Sequence, residues 1–392
     1  ILANDERVLG IVRDELTELR DKYGDERRTE IQHVSGEVDI EDLIPEETCV
    51  FTLTHAGYIK RLPEDTYQAQ KRGGRGISGL SHKDEDFVEE MFIGSTHDYV
   101  MFVTDQGRIY RLKGYQILEG SRTSRGTNIV NLLPLQEGEK VTSMLRMPAG
   151  DESGYLVMVT RGGVIKRTPL QAYHNIRKSG LLAVSLYEGD SLAWTKITSG
   201  EDELIVATKG GQAIRFKESD ARSMGRLGHG VRAIRLAEGD QVVGVGILRP
   251  GASVFTVTEQ GKGRRSRVDD YRIQSRGGKG IRNYTKGCVA GIKVLDEEDD
   301  VILISQEGII IRMHAADINL QSRYGSGVRV MRLAEGDRVV TVARTEHSDD
   351  AVTEKPEDEP EETLSEAELA AIQAEENAQA DEQPEDEGDG EE

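Results

Sequence analysis

One eight-residue pattern recurs six times in this chain: Thr or Ser, two residues, Gly, three residues, Arg. The copies are Thr54–Gly57–Arg61, Thr104–Gly107–Arg111, Thr160–Gly163–Arg167, Thr208–Gly211–Arg215, Thr258–Gly261–Arg265 and Ser305–Gly308–Arg312. Successive glycines stand 50, 56, 48, 50 and 47 residues apart, a period that belongs to propeller blades and related arrays. An apolar run such as Val100-Met101-Phe102-Val103 precedes each glycine and another short strand-like segment follows it. Each unit therefore reads as a β-hairpin with glycine at the turn, where a positive φ is needed. A hairpin of this size cannot bury a core by itself, so six of them must pack side by side in a radial array. The expected fold is all-β, a six-bladed propeller-like ring.

A second glycine follows in every copy, at Gly76, Gly126, Gly180, Gly230, Gly280 and Gly327. Five of these have an arginine four residues before them: Arg72, Arg122, Arg226, Arg276 and Arg323. In the third copy Arg177 and Lys178 take that place, and Arg125 and Lys279 add charge to the second and fifth loops. The first copy is the richest, with Gln70-Lys71-Arg72-Gly73-Gly74-Arg75-Gly76 holding three cations and three glycines. Glycine lets a backbone approach a ligand closely, and consecutive free N–H groups form anion-binding nests. Repeated around one rim, these loops make a belt of positive charge suited to a long, bent polyanion, whose backbone such contacts position without reading its sequence. The arginines of the first pattern, Arg61, Arg111, Arg167, Arg215, Arg265 and Arg312, share strand parity with apolar positions. They either bond carbonyls of a neighbouring unit or join the nucleic-acid surface. Four copies close with Leu, one residue, Glu-Gly-Asp/Glu, at 137–139, 188–190, 238–240 and 335–337, which reads as a second turn.

Charge is distributed unevenly. The formal net charge is −21, but residues 346–392 hold 21 acids against the single base Lys355, and residues 1–48 hold 15 acids and 6 bases. Residues 49–345 keep 43 bases against 35 acids. The core is thus basic, and local fields attract polyanions whatever the distant tail adds to the sum. The acidic segment has the composition of a disordered tail, with a helical turn conceivable around Ser365–Ala374. At the other end Val8, Ile11, Val12, Leu16 and Leu19 form a helical stripe that Gly24 stops.

Catalytic signals are weak. Eight histidines show no metal-ligand spacing, Cys49 and Cys288 lack a second cysteine nearby, and no Gly-x-x-x-x-Gly-Lys loop occurs. No apolar run approaches the roughly 20 residues that span a bilayer. A reducing, cytoplasmic location is expected, and the initial Ile1 reads as the start of a fragment.

The heptapeptide Gln70–Gly76 resembles the gyrase A box, usually Gln-Arg-Arg-Gly-Gly-Lys-Gly, and it stands in the first of six repeats as in the C-terminal domain of the DNA gyrase A protein. Gly24-Asp25-Glu26-Arg27-Arg28-Thr29-Glu30-Ile31 is similar to that family's junction with the breakage-reunion core, and Ile129 to Leu135 to its second blade. The resemblance implies three parts: a terminal helix and junction over 1–30, a six-bladed β-pinwheel over 31–345, and the acidic tail over 346–392. It implies a DNA-wrapping module of positive handedness. Such a module presents double-stranded DNA to a gyrase assembly of two A and two B chains, with ATP and Mg entering through the B chains and no cofactor in this part. Taken alone, the domain is expected to be monomeric and free of membrane. Lys71 and Arg75 exchange the usual Arg and Lys, which keeps the charge and alters bidentate geometry. Gln274–Gly280 echoes the box in the fifth repeat. The family's catalytic Arg-Tyr-Thr context does not occur, since Tyr324 follows Arg323 but precedes Gly325, so this part is expected to bend DNA without cleaving it. The corresponding domain of topoisomerase IV and a propeller serving as a protein-interaction scaffold are the alternatives. Phosphate binding predicts that log K falls with log salt by about 0.9 per neutralised phosphate.

Overall fold

The computed structural model describes residues 5–24, 40–63, 88–121, 124–147, 153–307 and 309–346, together with 368, 370–374 and 376 of the acidic segment. The box at 70–76, Arg122, Gly308 and the junction from Asp25 to Ile31 lie outside the described residues. The chain forms two units, 1–45 and 46–392. In the first, Asp5–Tyr23 is an α-helix closed by a hydrogen bond from Gly24 N–H to the Arg20 carbonyl (2.7 Å). Its Leu16 and Leu19 are exposed.

The second unit is a six-bladed β-propeller of antiparallel sheets. In the fourth copy Glu203–Thr208 pairs with Gln212–Lys217, and Val242–Leu248 pairs with the free side of Glu203–Thr208. The recurring positions of the repeat have a local cause. Gly211 N–H donates to the Thr208 carbonyl (3.0 Å), and Gln212 N–H donates to the Thr208 hydroxyl (3.3 Å), so one residue stitches both ends of the turn. Thr54, Thr104, Thr160, Thr258 and Ser305 accept through their hydroxyls in the same way from Tyr58, Arg108, Val164, Lys262 and Ile309. Gly211 has φ +84°, and a Cβ there would lie 2.4 Å from the Tyr284 carbonyl oxygen. Backbone conformation and the next copy's approach both exclude a side chain.

The closing acid has a definite role as well. Asp190, Asp240 and Asp337 accept from the turn N–H groups of Gly162, Gly210 and Glu307 at 2.8, 2.8 and 3.1 Å. Each of these blades thereby holds its own first hairpin with its last connection.

Consecutive copies are interlocked. Among the described residues, the two that follow each of the second glycines cross onto the outer edge of the preceding sheet: Thr127–Asn128 pairs with Tyr58–Pro63, Leu181–Leu182 with Arg108–Lys113, and Val231–Arg232 with Val164–Pro169. Ile281–Arg282 and Val328–Arg329 do the same for the fourth and fifth sheets. The sixth sheet has three strands among the described residues. Innermost strands from all six copies, among them Val141–Met147, Leu192–Thr198 and Val289–Leu295, line a central cavity of about 880 Å³. Apolar clusters fill the spaces between successive sheets, such as Phe51, Phe102 and Tyr110 between the first two. Central strands are therefore buried on both faces, which is why their apolar runs are continuous rather than alternating.

Candidate nucleic-acid interface

The second glycines place the cationic loops. Gly126, Gly180, Gly230, Gly280 and Gly327 all have φ between +77° and +110°, just where the chain turns onto the neighbouring sheet. A Cβ on Gly280 would stand 2.6 Å from the Ala213 carbonyl oxygen. Every described loop thus lies at the outer edge of a sheet, remote from the central cavity.

Within these loops Arg125, Arg177, Lys178, Arg226 and Lys279 are exposed. The Arg125 guanidinium lies over the Tyr58 ring, 4.2 Å from its centroid. Arg276 is half-buried and donates to the carbonyls of Asp220 (2.8 Å) and Arg232 (3.3 Å) in the preceding copy. Arg323 is engaged further. Its guanidinium donates to the Arg282 carbonyl (2.7 Å), lies over the Tyr324 ring and grips both carboxylate oxygens of Glu376 at 2.7 Å.

Glu376 belongs to the acidic segment, in which residues 368, 370–374 and 376 are helical. Its carboxylate also accepts from Arg282 N–H (2.9 Å), and its carbonyl accepts from Arg272 (2.8 Å). Three N–H groups converge on one buried carboxylate, the donor geometry that also holds a phosphate. Burial is the largest influence raising the Tyr324 phenol above its ordinary range.

Arginines of the first set turn inward. Arg61 Nε donates to Ile117 O (2.9 Å), Arg111 Nη1 to His174 O (2.8 Å) and Arg265 Nε to Ile318 O (2.9 Å), each a carbonyl of the next copy. Arg215 donates to Val268 O and Tyr271 O at 3.0 Å and forms an ion pair with Glu203. Arg167 lies over Tyr155 and 3.9 Å from the buried Glu218, whose carboxyl is pushed up chiefly by burial. Arg312, in the last copy, pairs with Asp300 of its own sheet at 2.7 Å. Five of the six therefore reach the next copy, and Arg312 pairs within its own hairpin.

Several functional candidates do not follow from the rim pattern alone: Arg272, Arg282 and Glu376, and the buried cations Lys60, Lys166 and Arg264. For the last three a signal exists, a charge three residues after the turn glycine where other copies have Tyr110, Ile214 and Ile311. Among the described residues no cluster of His, Cys, Asp or Glu is placed to hold a metal, and no helix is long and apolar enough to cross a membrane.

Comparison with known proteins agrees with this architecture. The family model described as DNA gyrase C-terminal domain, beta-propeller, matches residues 50–94, 98–146, 154–199, 202–249, 252–294 and 299–346, one segment per blade. The chain is 52% identical over 232 residues to the DNA gyrase A protein of Clostridium acetobutylicum, covering 59% of this chain and 28% of that protein. It is 46% identical over 235 residues to the gyrase A protein of Staphylococcus aureus, covering 59% and 26%. The chain thus spans little more than a quarter of these relatives. Among solved structures, the C-terminal domain of DNA topoisomerase IV superposes with a TM-score of 0.68 at 25% identity, covering 77% of this chain and 94% of that one. The DNA gyrase A C-terminal domain superposes at 0.60 with 26% identity, covering 76% and 99%. With six matched segments coinciding with six sheets, the chain belongs to the DNA gyrase C-terminal domain family of β-propellers.

Proposed function

We propose that this chain binds double-stranded DNA along the outer edges of its sheets and wraps it with positive handedness. It presents a segment for strand passage by a gyrase of two A and two B chains, in the cytoplasm. The observation that supports this best is the recurrence of a cationic, glycine-bounded loop at the same place on successive sheets, with Arg125, Arg177, Arg226 and Lys279 exposed. In the sequence, the box Gln70–Gly76 holds the corresponding positions of the first repeat. The domain itself performs no chemistry. ATP and Mg act through the B chains, and the DNA segment held here is what that reaction moves.

The acidic segment regulates the same surface. Glu376 occupies the N–H cradle of Arg323 and Arg282 as an oxyanion, so a DNA phosphate at that seam displaces it.

Nicked circular plasmid sealed by ligase in the presence of the chain tests the reading. A positive linking-number shift is expected, reduced by the Arg125→Ala, Arg226→Ala, Lys279→Ala triple variant and abolished by Arg72→Ala with Arg75→Ala. Salt-dependent binding without any shift would remove the wrapping mechanism. For the acidic segment, stopping the chain at Thr345 is expected to tighten DNA several-fold, with Glu376→Gln moving in the same direction. Equal affinity and equal wrapping would exclude the regulatory role.

A further inference from the structure

The six copies alternate at one position, buried in the first five and half-buried in the sixth. Three residues after the turn glycine stand Lys60, Lys166 and Arg264 in the first, third and fifth copies, and Tyr110, Ile214 and Ile311 in the others. The three cations are 3%, 1% and 0% exposed. Each reaches beneath the cationic loop of the following copy and donates there to backbone carbonyls.

Lys60 Nζ donates to the carbonyls of Ser121 (3.2 Å) and Ser124 (2.9 Å), which flank position 122. Lys166 Nζ donates to the carbonyls of Ala183 (2.5 Å) and Arg226. Arg264 donates to the carbonyls of Gly325 (2.9 Å), Arg323 (2.5 Å) and Asn283. The acceptors correspond between copies: Ala183 and Asn283 each follow an edge strand, and Arg226 and Arg323 each stand four residues before the second glycine. Where the cation is missing, the loop above rests on side chains. Gly180 sits over the Tyr110 ring, which a Cβ would approach to 2.6 Å, and Gly278 lies against Ile214. Loops of the second, fourth and sixth copies are therefore held by a buried charge, and those of the third and fifth are seated on a ring or an aliphatic group.

Stability does not call for this arrangement. Burying a cation costs free energy that carbonyl dipoles offset only in part, and isoleucine serves at the same place in the fourth and sixth copies. A buried cation can, however, fix the peptide of the very residue whose side chain faces DNA, and it adds positive potential beneath the rim.

We infer that Lys60, Lys166 and Arg264 are positioning residues that lock alternate loops of the rim in the conformation that meets DNA phosphates. This rests on the DNA-binding reading above. The wrapped duplex is then gripped at alternate copies by rigid loops and followed between them by looser ones.

The test uses the whole chain with Lys166→Met and Lys166→Arg, the second repeating what the fifth copy already uses. Three quantities are read: affinity for a labelled duplex against salt, thermal midpoint, and hydrogen exchange of amides in 225–230. For Lys166→Met the expected result is a thermal midpoint equal to or above that of the parent, loop exchange accelerated at least tenfold and DNA affinity lowered three- to tenfold. Lys166→Arg is expected to restore exchange and affinity. The inference is overturned if Lys166→Met leaves loop exchange unchanged, or if affinity falls only together with the thermal midpoint and arginine does not restore it. A parent chain without salt-sensitive DNA binding overturns the DNA reading itself, and this inference with it.

Discussion

Lys166 carries the clearest single-residue consequence. Burial, with Arg226 nearby, lowers its pKa to about 8 from 10.5. Between those values the unfolded chain binds a proton that the folded chain has lost, so this residue makes stability rise with pH across that window. Below pH 8 the folded state bears the full cost of a buried charge, on the order of 3 kcal/mol at about 1.36 kcal/mol per unit. Urea midpoints at pH 7.5 and 10 should therefore show a rise in the parent relative to Lys166→Met, and parallel behaviour would remove the assignment. Arg226 acts on Lys166 through its charge, and Tyr173, whose phenol is pushed up to about 12 chiefly by burial, donates to the same Ala183 carbonyl at 3.4 Å. A second prediction belongs to Gly261, at φ +77° with the Met331 carbonyl oxygen 2.3 Å from where a Cβ would stand. Gly261→Ala is expected to destabilise by about 2 kcal/mol or more, through strain at positive φ and displacement of the next copy. Differential scanning calorimetry checks it.

At the scale of elements, the two arginine sets separate clamp from contact. Arg215 ties its own sheet to the fifth copy's turn at Val268 and Tyr271. Arg215→Ala is expected to cost about 1–3 kcal/mol, since it removes charge-assisted bonds and leaves carbonyls unsatisfied. The salt slope of DNA binding should stay unchanged. Arg226→Ala is expected to do the opposite, lowering the slope by about 0.9 while changing stability by less than about 0.5 kcal/mol. Titrations of both variants from low to moderate salt, beside denaturant curves, separate the roles. The sequence left the first set between these two roles, because a strand's parity says which face a residue takes and not what stands opposite it. Hairpins, turn glycines and repeat number were legible, since each has a local cause in φ or in the Thr hydroxyl. The acid after the Glu-Gly turn was visible as punctuation, but its bond to a turn N–H 30 residues earlier was not.

Across the whole molecule, cores lie between sheets, and the outer edge strand of each of the first five sheets comes from the next copy's crossing segment, as Leu181–Leu182 does for the second. Folding energy is thus shared by neighbours, and a blade at an interrupted end loses both a core and an edge partner. A chain stopped at Asp296 leaves Phe255 and Val257 without Val328 and Met331, and Lys262–Gly263 without its partner strand. Limited proteolysis is expected to cut within 253–295 first in that chain, and uniform resistance would contradict the interlocked order. What the sequence determined by itself was everything periodic: six β units, their turns, a basic core between acidic ends, and one cationic loop per unit. Those features arise from short-range sterics and composition, which are written along the chain. Only the tertiary structure decided what each charge faces. It turned Arg61, Arg111 and Arg265 onto carbonyls of the next copy, set Lys60, Lys166 and Arg264 under alternate loops, and brought Glu376 to Arg323 across 53 residues. Partners far apart in sequence are chosen by how sheets stack, and no local rule records that stacking.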